Sequence, residues 1–323
     1  MNRRSLLKGG VALACTPLSA CITTRSRPRE PSGLALNLEQ FHQARRVQAT
    51  PMGEISYLDR GDGPVVLFLH GFPLNSFQWR GAIARLCGTH RCIAPDFLGL
   101  GYTRVAEGAD LSPHGQLEML DYLLAVLKID QFHLIANDSG AAIAQLLLAQ
   151  KPRHVRSLLL TNGDVETDSP PAALLPVIEL AKQGTFANEW LAPWLADKTL
   201  ARSANGIGGM CYSLPDQPSD DAINCYFTPV CADAKKRAAI HQYAIGLEVN
   251  VLAGITPRLQ QNKVPVSIVW GMADTIFAKT SPDYLAATVG AVKRVRRLEG
   301  AKLFWPEEYP DIIAEEARWL WQQ

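Results

Sequence analysis

Leu134-Ile135-Ala136-Asn137-Asp138-Ser139-Gly140-Ala141-Ala142 is the stretch on which the reading of this chain turns. An apolar run from Phe132 to Ala136 stops at a polar triplet and gives way to small residues. A strained strand-to-helix turn that presents a nucleophile needs small residues two places before and two places after it, because the flanking backbones approach closely. Centring such a turn on Asp138 puts Ala136 and Gly140 at those places. Centring it on Ser139 puts Asn137 and Ala141 there, and the asparagine side chain would crowd the turn. An aspartate that merely caps a helix is chemically sensible, but it leaves the small residues on both sides unexplained.

Outward from this turn, short apolar runs recur at Val65 to Leu69, Arg91 to Ala94, Val155 to Leu160 and Val264 to Trp270. Continuous rather than alternating apolarity marks strands buried on both faces. Leu117, Leu120, Leu124 and Leu127 follow helical spacing, opened by Ser112 and Pro113 as cap and first turn. Alternation of this kind predicts an α/β fold with a mostly parallel sheet covered by helices on both faces. Gly53 to Arg60 reads as an antiparallel edge strand, and a final helix is expected around Ile312 to Trp321. Between Glu166 and Thr256 no buried strand is expected, and helical stretches carry Trp190, Trp194, Tyr212, Tyr226 and Tyr243. That segment reads as a helical cap inserted before the last strands, placed to exclude water from a pocket at the carboxyl ends of the strands. The expected division is a core from 41 to 165, the cap from 166 to 256, and the rest of the core from 257 to 323.

Three further motifs stand around the turn: His70-Gly71-Phe72-Pro73 after one strand, Asp96-Phe97-Leu98-Gly99-Leu100-Gly101 after the next, and Trp270-Gly271-Met272-Ala273-Asp274 late in the chain. Their order and spacing resemble the α/β-hydrolase fold family over nearly all of the chain beyond its N-terminal segment. An aspartate at the nucleophile position and an HGFP turn look most like haloalkane dehalogenases, fluoroacetate-type dehalogenases and epoxide hydrolases. The resemblance implies that the Asp138 carboxylate attacks an sp³ carbon of a small apolar substrate and forms an alkyl ester. It implies an oxyanion hole from the backbone N–H groups of Phe72 and Ser139, and a histidine that activates water for ester hydrolysis. Asp274 sits where the family keeps the acid that orients that histidine, with Asp164 as an alternative acid position. For epoxide opening the family uses two cap tyrosines, for which Tyr212, Tyr226 and Tyr243 are candidates. Trp190 or Trp194 could offer an indole N–H to a halide.

The chain departs from the pattern at two places. Aligning Phe304, Glu307, Glu308 and Pro310 with the family puts Leu303 at the catalytic histidine, and no histidine lies beyond Tyr243. Leucine cannot take a proton from water, and loss of a general base typically costs about 10²- to 10⁴-fold. His241, in an expected cap helix, is the nearest substitute in sequence, while His70 is expected to belong to the turn's own geometry. The tryptophan that follows the nucleophile in haloalkane dehalogenases is Ser139 here. Three functional classes therefore stand: an Asp138 hydrolase with an altered second step, a binding protein that kept the fold, and a Ser139 esterase.

Composition narrows the partners. The 323 residues are 47% hydrophobic with a net charge of +1, which argues against a nucleic-acid partner; a small-molecule substrate is what the resemblance implies. No metal-ligand spacing or cofactor motif is present. Arg3-Arg4-Ser5-Leu6-Leu7-Lys8 followed by an uncharged stretch to Ala20 resembles a twin-arginine export signal. Leu18-Ser19-Ala20-Cys21 resembles a lipobox, which implies cleavage before Cys21, lipidation of its thiol and a periplasmic, membrane-anchored protein. Residues 1–21 are thus expected to be a signal peptide used by the export machinery, and 22–40 a tether. Five further cysteines remain, an odd number, of which Cys87 and Cys92 are close enough in sequence to form a bridge.

Overall fold

The computed structural model describes residues 35–323. The expected signal peptide, the lipidation site Cys21 and the expected tether as far as residue 34 lie outside the described residues. A helix at Leu38–Ala44 is capped reciprocally by Asn37 and Gln40, and it buries Phe41. The folded core therefore reaches back into the segment expected to be tether.

Among the described residues, nine strands form one sheet: β1 Arg45–Thr50, β2 Gly53–Arg60, β3 Val65–Leu69, β4 Arg91–Pro95, β5 Arg104–Val105, β6 Phe132–Asp138, β7 Val155–Gly163, β8 Val266–Gly271 and β9 Val292–Leu298. Their order is β1-β2-β4-β3-β6-β7-β8-β9, with β5 paired to β2. β3, β4 and β6 to β9 run parallel, while β1, β2 and β5 pair antiparallel. Every residue of β6 is buried, as expected of a central strand covered on both faces.

Two expectations about the sheet's margins are corrected. β2 is not the edge, because β1 pairs along it from Arg45↔Leu58 to Thr50↔Gly53. β9 was not anticipated, because Val-Lys-Arg-Val-Arg-Arg-Leu lacks a continuous apolar run. Arg294 and Arg296 are held by the C-terminal helix Pro310–Leu320, with Arg294 Nε 2.7 Å from the buried Glu316 carboxylate. An edge strand whose residues are at most half-buried needs only that much apolar character.

The helix Pro113–Val126 starts at its expected cap, where Ser112 accepts from the Gly115 amide. Between β7 and β8 the chain leaves the sheet and forms short helices from Leu175–Lys182 to Ala234–Gly246 over the carboxyl ends of the strands. No helix among the described residues is long and apolar enough to cross a membrane. Cys87 and Cys92 are both free thiols, so no bridge joins them.

Candidate functional site

Asp138 ends β6 with φ +56° and ψ −132°, and the next residue starts the helix Ser139–Gln150. That conformation costs an L-residue about 1–3 kcal/mol and persists only when its surroundings impose it. Close packing does so here. A Cβ on Gly140 would stand 2.6 Å from the Leu69 carbonyl oxygen, and one on Gly71 would stand 2.6 Å from Asp138 Cβ. Both glycines are therefore required by approach rather than by flexibility.

The bare Gly71 brings the HGFP turn against the carboxylate. Asp138 Oδ1 accepts from the Phe72 amide at 2.9 Å and from the Ser139 amide at 2.5 Å. Burial pushes the Asp138 carboxyl up to about 6, opposed by these two amides and reinforced by the charge of Asp274. Asn137 points away from the turn: its Oδ1 accepts from Gln78, and its Nδ2 donates to Thr161 Oγ1, the Asn162 carbonyl and the Leu303 carbonyl. His70 is committed locally, with Nε2 accepting from the Phe97 amide and Nδ1 donating to the Gly71 carbonyl.

Above the turn lies a cavity of about 130 Å³, several times the ~30 Å³ that one water occupies in the liquid. Asp138, Ser139 and Leu303 form part of its wall, as do Phe72, Trp190 and Trp194. Leu303 is 2% exposed and meets the cavity where an imidazole was expected. Asp274 stands behind the wall formed by Ile276 and Phe277 of its own loop. Its Oδ2 accepts from Asn162 Nδ2 at 2.8 Å and its Oδ1 from the Ile276 amide at 2.8 Å, while burial pushes it up to about 6. The carboxylate expected to orient a histidine is thus hydrogen-bonded without one.

The cap residues divide. Tyr243 comes to the site, its hydroxyl 3.0 Å from Ser139 Oγ. Tyr212 and Tyr226 do not: both hydroxyls donate to Glu307 Oε2, at 2.6 and 2.8 Å, and Arg80 holds Glu307 Oε1 at 2.7 Å. The expectation that they face a substrate is corrected, because a buried carboxylate must be hydrogen-bonded and these hydroxyls satisfy it. His241 accepts from the Ala187 amide within the cap. Two further wall residues are Asp164, expected as an alternative acid position, and Cys211, which no sequence pattern places at a site. Asp164, just after β7, is pushed up to about 7 by burial and by the charge of Asp138. Cys211 reaches the cavity from the cap, and burial raises its thiol well above the ordinary value. Among the described residues, no group of three or more His, Cys, Asp or Glu is placed to hold a metal ion.

Comparison with known proteins bears on the fold. Residues 64–200 match the family model described as alpha/beta hydrolase fold. An uncharacterized hydrolase of Saccharomyces cerevisiae is 26% identical over 86% of this chain and 96% of its own length. Haloalkane dehalogenase 2 of Mycobacterium tuberculosis is 27% identical over 81% of this chain and 89% of its own. The solved epoxide hydrolase CorEH superposes with a TM-score of 0.70 at 18% identity, over 86% of this chain and 98% of that one. The chain has the α/β-hydrolase fold, and it is similar in sequence to haloalkane dehalogenases and in architecture to an epoxide hydrolase.

Proposed function

We propose that the protein is a hydrolase that uses Asp138 as the nucleophile on an sp³ carbon of a small apolar substrate, with ester hydrolysis slowed by the leucine at position 303. The observation that carries this reading is the double amide contact to Asp138 Oδ1 on a strained turn at the floor of an apolar cavity. Those amides fix one carboxylate oxygen and leave the other to attack. After alkylation the fixed oxygen is the ester carbonyl, already seated in the donors that stabilise the oxyanion of the second step. That the related Mycobacterium tuberculosis protein is named a haloalkane dehalogenase supports the same chemistry.

A binding protein is the second reading, favoured by Asp274 being held by Asn162 with no histidine beside it. A Ser139 esterase has less support, since its hydroxyl is bonded to Tyr243 rather than to a base. The Arg3-Arg4 and Cys21 patterns support export and lipid anchoring. Loss of fatty-acid labelling in Cys21→Ser would test the anchor.

Intact-protein mass spectrometry after incubation with a bromoalkane, an epoxide and a fluorophosphonate decides among the readings. A lasting alkyl adduct absent from Asp138→Asn is the expected result. A phosphonyl adduct lost in Ser139→Ala would move the nucleophile to the serine. No adduct from any reagent would leave the binding protein.

A further inference from the structure

The cavity above the turn gathers buried carboxyls and aromatic rings. Asp138 and Asp164, 7% and 8% exposed, both line it, and among the described residues that line it none is lysine, arginine or histidine. Phe72, Phe186, Trp190, Trp194 and Phe277 stand in the same wall. Four of these rings follow one another from the turn into the cap: Phe72 to Phe186 at 5.7 Å between centroids, Phe186 to Trp190 at 5.9 Å, and Trp190 to Trp194 at 5.5 Å. The last two pairs are tilted by 57° and 51°, so this wall bends instead of stacking flat.

A buried carboxylate is costly without a positive partner, and this wall supplies only neutral ones. The Phe72 and Ser139 amides hold one Asp138 oxygen, and Ser169 bonds the Asp164 side chain, but none of these brings a full charge. Leu303 fills the place from which an imidazolium could have balanced the pair. The cost shows in both acids: burial and the neighbouring carboxylate push Asp138 up to about 6 and Asp164 up to about 7.

We propose that the cavity is a binding site for a small organic cation of the quaternary-ammonium class, its methyl groups against the aromatic rings and its charge beside Asp138 and Asp164. The inference goes beyond the hydrolase reading and stands without it, because a bound cation needs the charge of Asp138 and not its attack.

The wall selects this class of ligand. A ring face attracts a cation, and more strongly where water is excluded. A quaternary ammonium carries no N–H group, whereas a primary ammonium must find acceptors for three of them in a largely apolar wall. A cation beside the two carboxyls also favours their ionised forms, so binding releases protons and strengthens as the pH rises.

The test titrates the full chain by calorimetry with choline and with 3,3-dimethylbutan-1-ol, in which carbon replaces the charged nitrogen, in potassium chloride of constant ionic strength. At about pH 8 choline is expected to bind tighter than the alcohol by about tenfold or more, and to lose that advantage at about pH 5, where both carboxyls are protonated. Asp164→Asn keeps the shape, and it should weaken choline about tenfold while leaving the alcohol unchanged. Trp194→Leu should weaken choline more than the alcohol. Equal affinities in wild type would make the cavity no more than apolar and overturn the proposal, as would an absence of choline binding at millimolar concentration. A choline preference that survives both Asp164→Asn and acid pH would place the cation elsewhere and overturn it too. Failure of a bromoalkane to alkylate Asp138 bears on the hydrolase reading alone, since choline binding is read without any reaction.

Discussion

Asn162 Nδ2 donates to Asp274 Oδ2 across 2.8 Å, so this buried carboxylate is hydrogen-bonded by an asparagine rather than by an imidazole. Asn162 is itself fixed: its Oδ1 accepts from the Gly271 amide at 2.7 Å and from the Trp305 indole at 3.0 Å. With leucine at the position where a histidine was expected, the Asp274 carboxylate is instead held by Asn162, and the two positions have to be considered together.

Leu303→His should restore part of the second half-reaction. The ring would enter the cavity wall near Asp138, but Asp274 would be shared with Asn162 and orient it poorly. Hydrolysis of a preformed bromoalkane ester is expected to accelerate about tenfold, short of the 10²- to 10⁴-fold that an aligned general base typically supplies. Adduct decay followed by mass spectrometry checks this, and an unchanged lifetime would mean that the introduced ring does not reach the water.

Alkylation should depend on pH through Asp138. The reactive form is the carboxylate, and burial pushes its protonation up to about 6. The rate is therefore expected to be flat above about pH 7 and to fall tenfold per pH unit well below 6. Initial rates of bromoalkane adduct formation between pH 4.5 and 8.5 measure it. A midpoint near 4 would mean that the two amides outweigh burial.

Asp164 should make the fold less stable at neutral pH. Its folded-state value of about 7 exceeds the ordinary 3.8, so the folded chain holds a proton that the unfolded chain releases between those limits. Stability from this group is full below about pH 4 and is lost as pH rises toward 7. Asp164→Asn keeps the shape and removes the titration. It should stabilise at pH 8 by a few kcal/mol, since each tenfold difference in proton affinity between the folded and unfolded chain is worth about 1.4 kcal/mol. The gain should vanish near pH 4. Urea unfolding at the two pH values gives the comparison, and an equal gain at both would rule out titration as the cause.

How much of this was legible in the chain depends on distance along it. The turn at Asp138, the close approach at Gly140 and the Phe72 amide are set by residues within or beside short motifs, and sequence alone pointed to them. The continuous apolar runs gave the buried strands, whereas β1 and β9 hid because half-exposed margins do not need such runs. The Ser139 to Tyr243 contact joins residues 104 apart and depends on how the cap settles, so no local pattern could announce it. Tyr212 and Tyr226 were misjudged for the same reason. Nothing near them in sequence reveals that Glu307, 95 and 81 residues away, needs their hydroxyls.

That glutamate fastens the cap to the core. Glu307 is 8% exposed, and it gathers Arg80 from the core with Tyr212 and Tyr226 from the cap. Removing the carboxylate in Glu307→Ala strands the Arg80 charge and should cost about 3–5 kcal/mol. Tyr212→Phe and Tyr226→Phe each remove a hydrogen bond to a charged group and should cost about 1.5–3 kcal/mol. The two tyrosine losses should not add, because both bonds end on Oε2 and the survivor can strengthen. Since neither tyrosine reaches the cavity, alkylation of Asp138 below the unfolding transition should keep its wild-type rate in both variants. A double-mutant cycle in urea tests the coupling, and alkylation rates test the separation of fastening from chemistry. A Tyr226→Phe variant that unfolds normally but loses alkylation would return that tyrosine to the site.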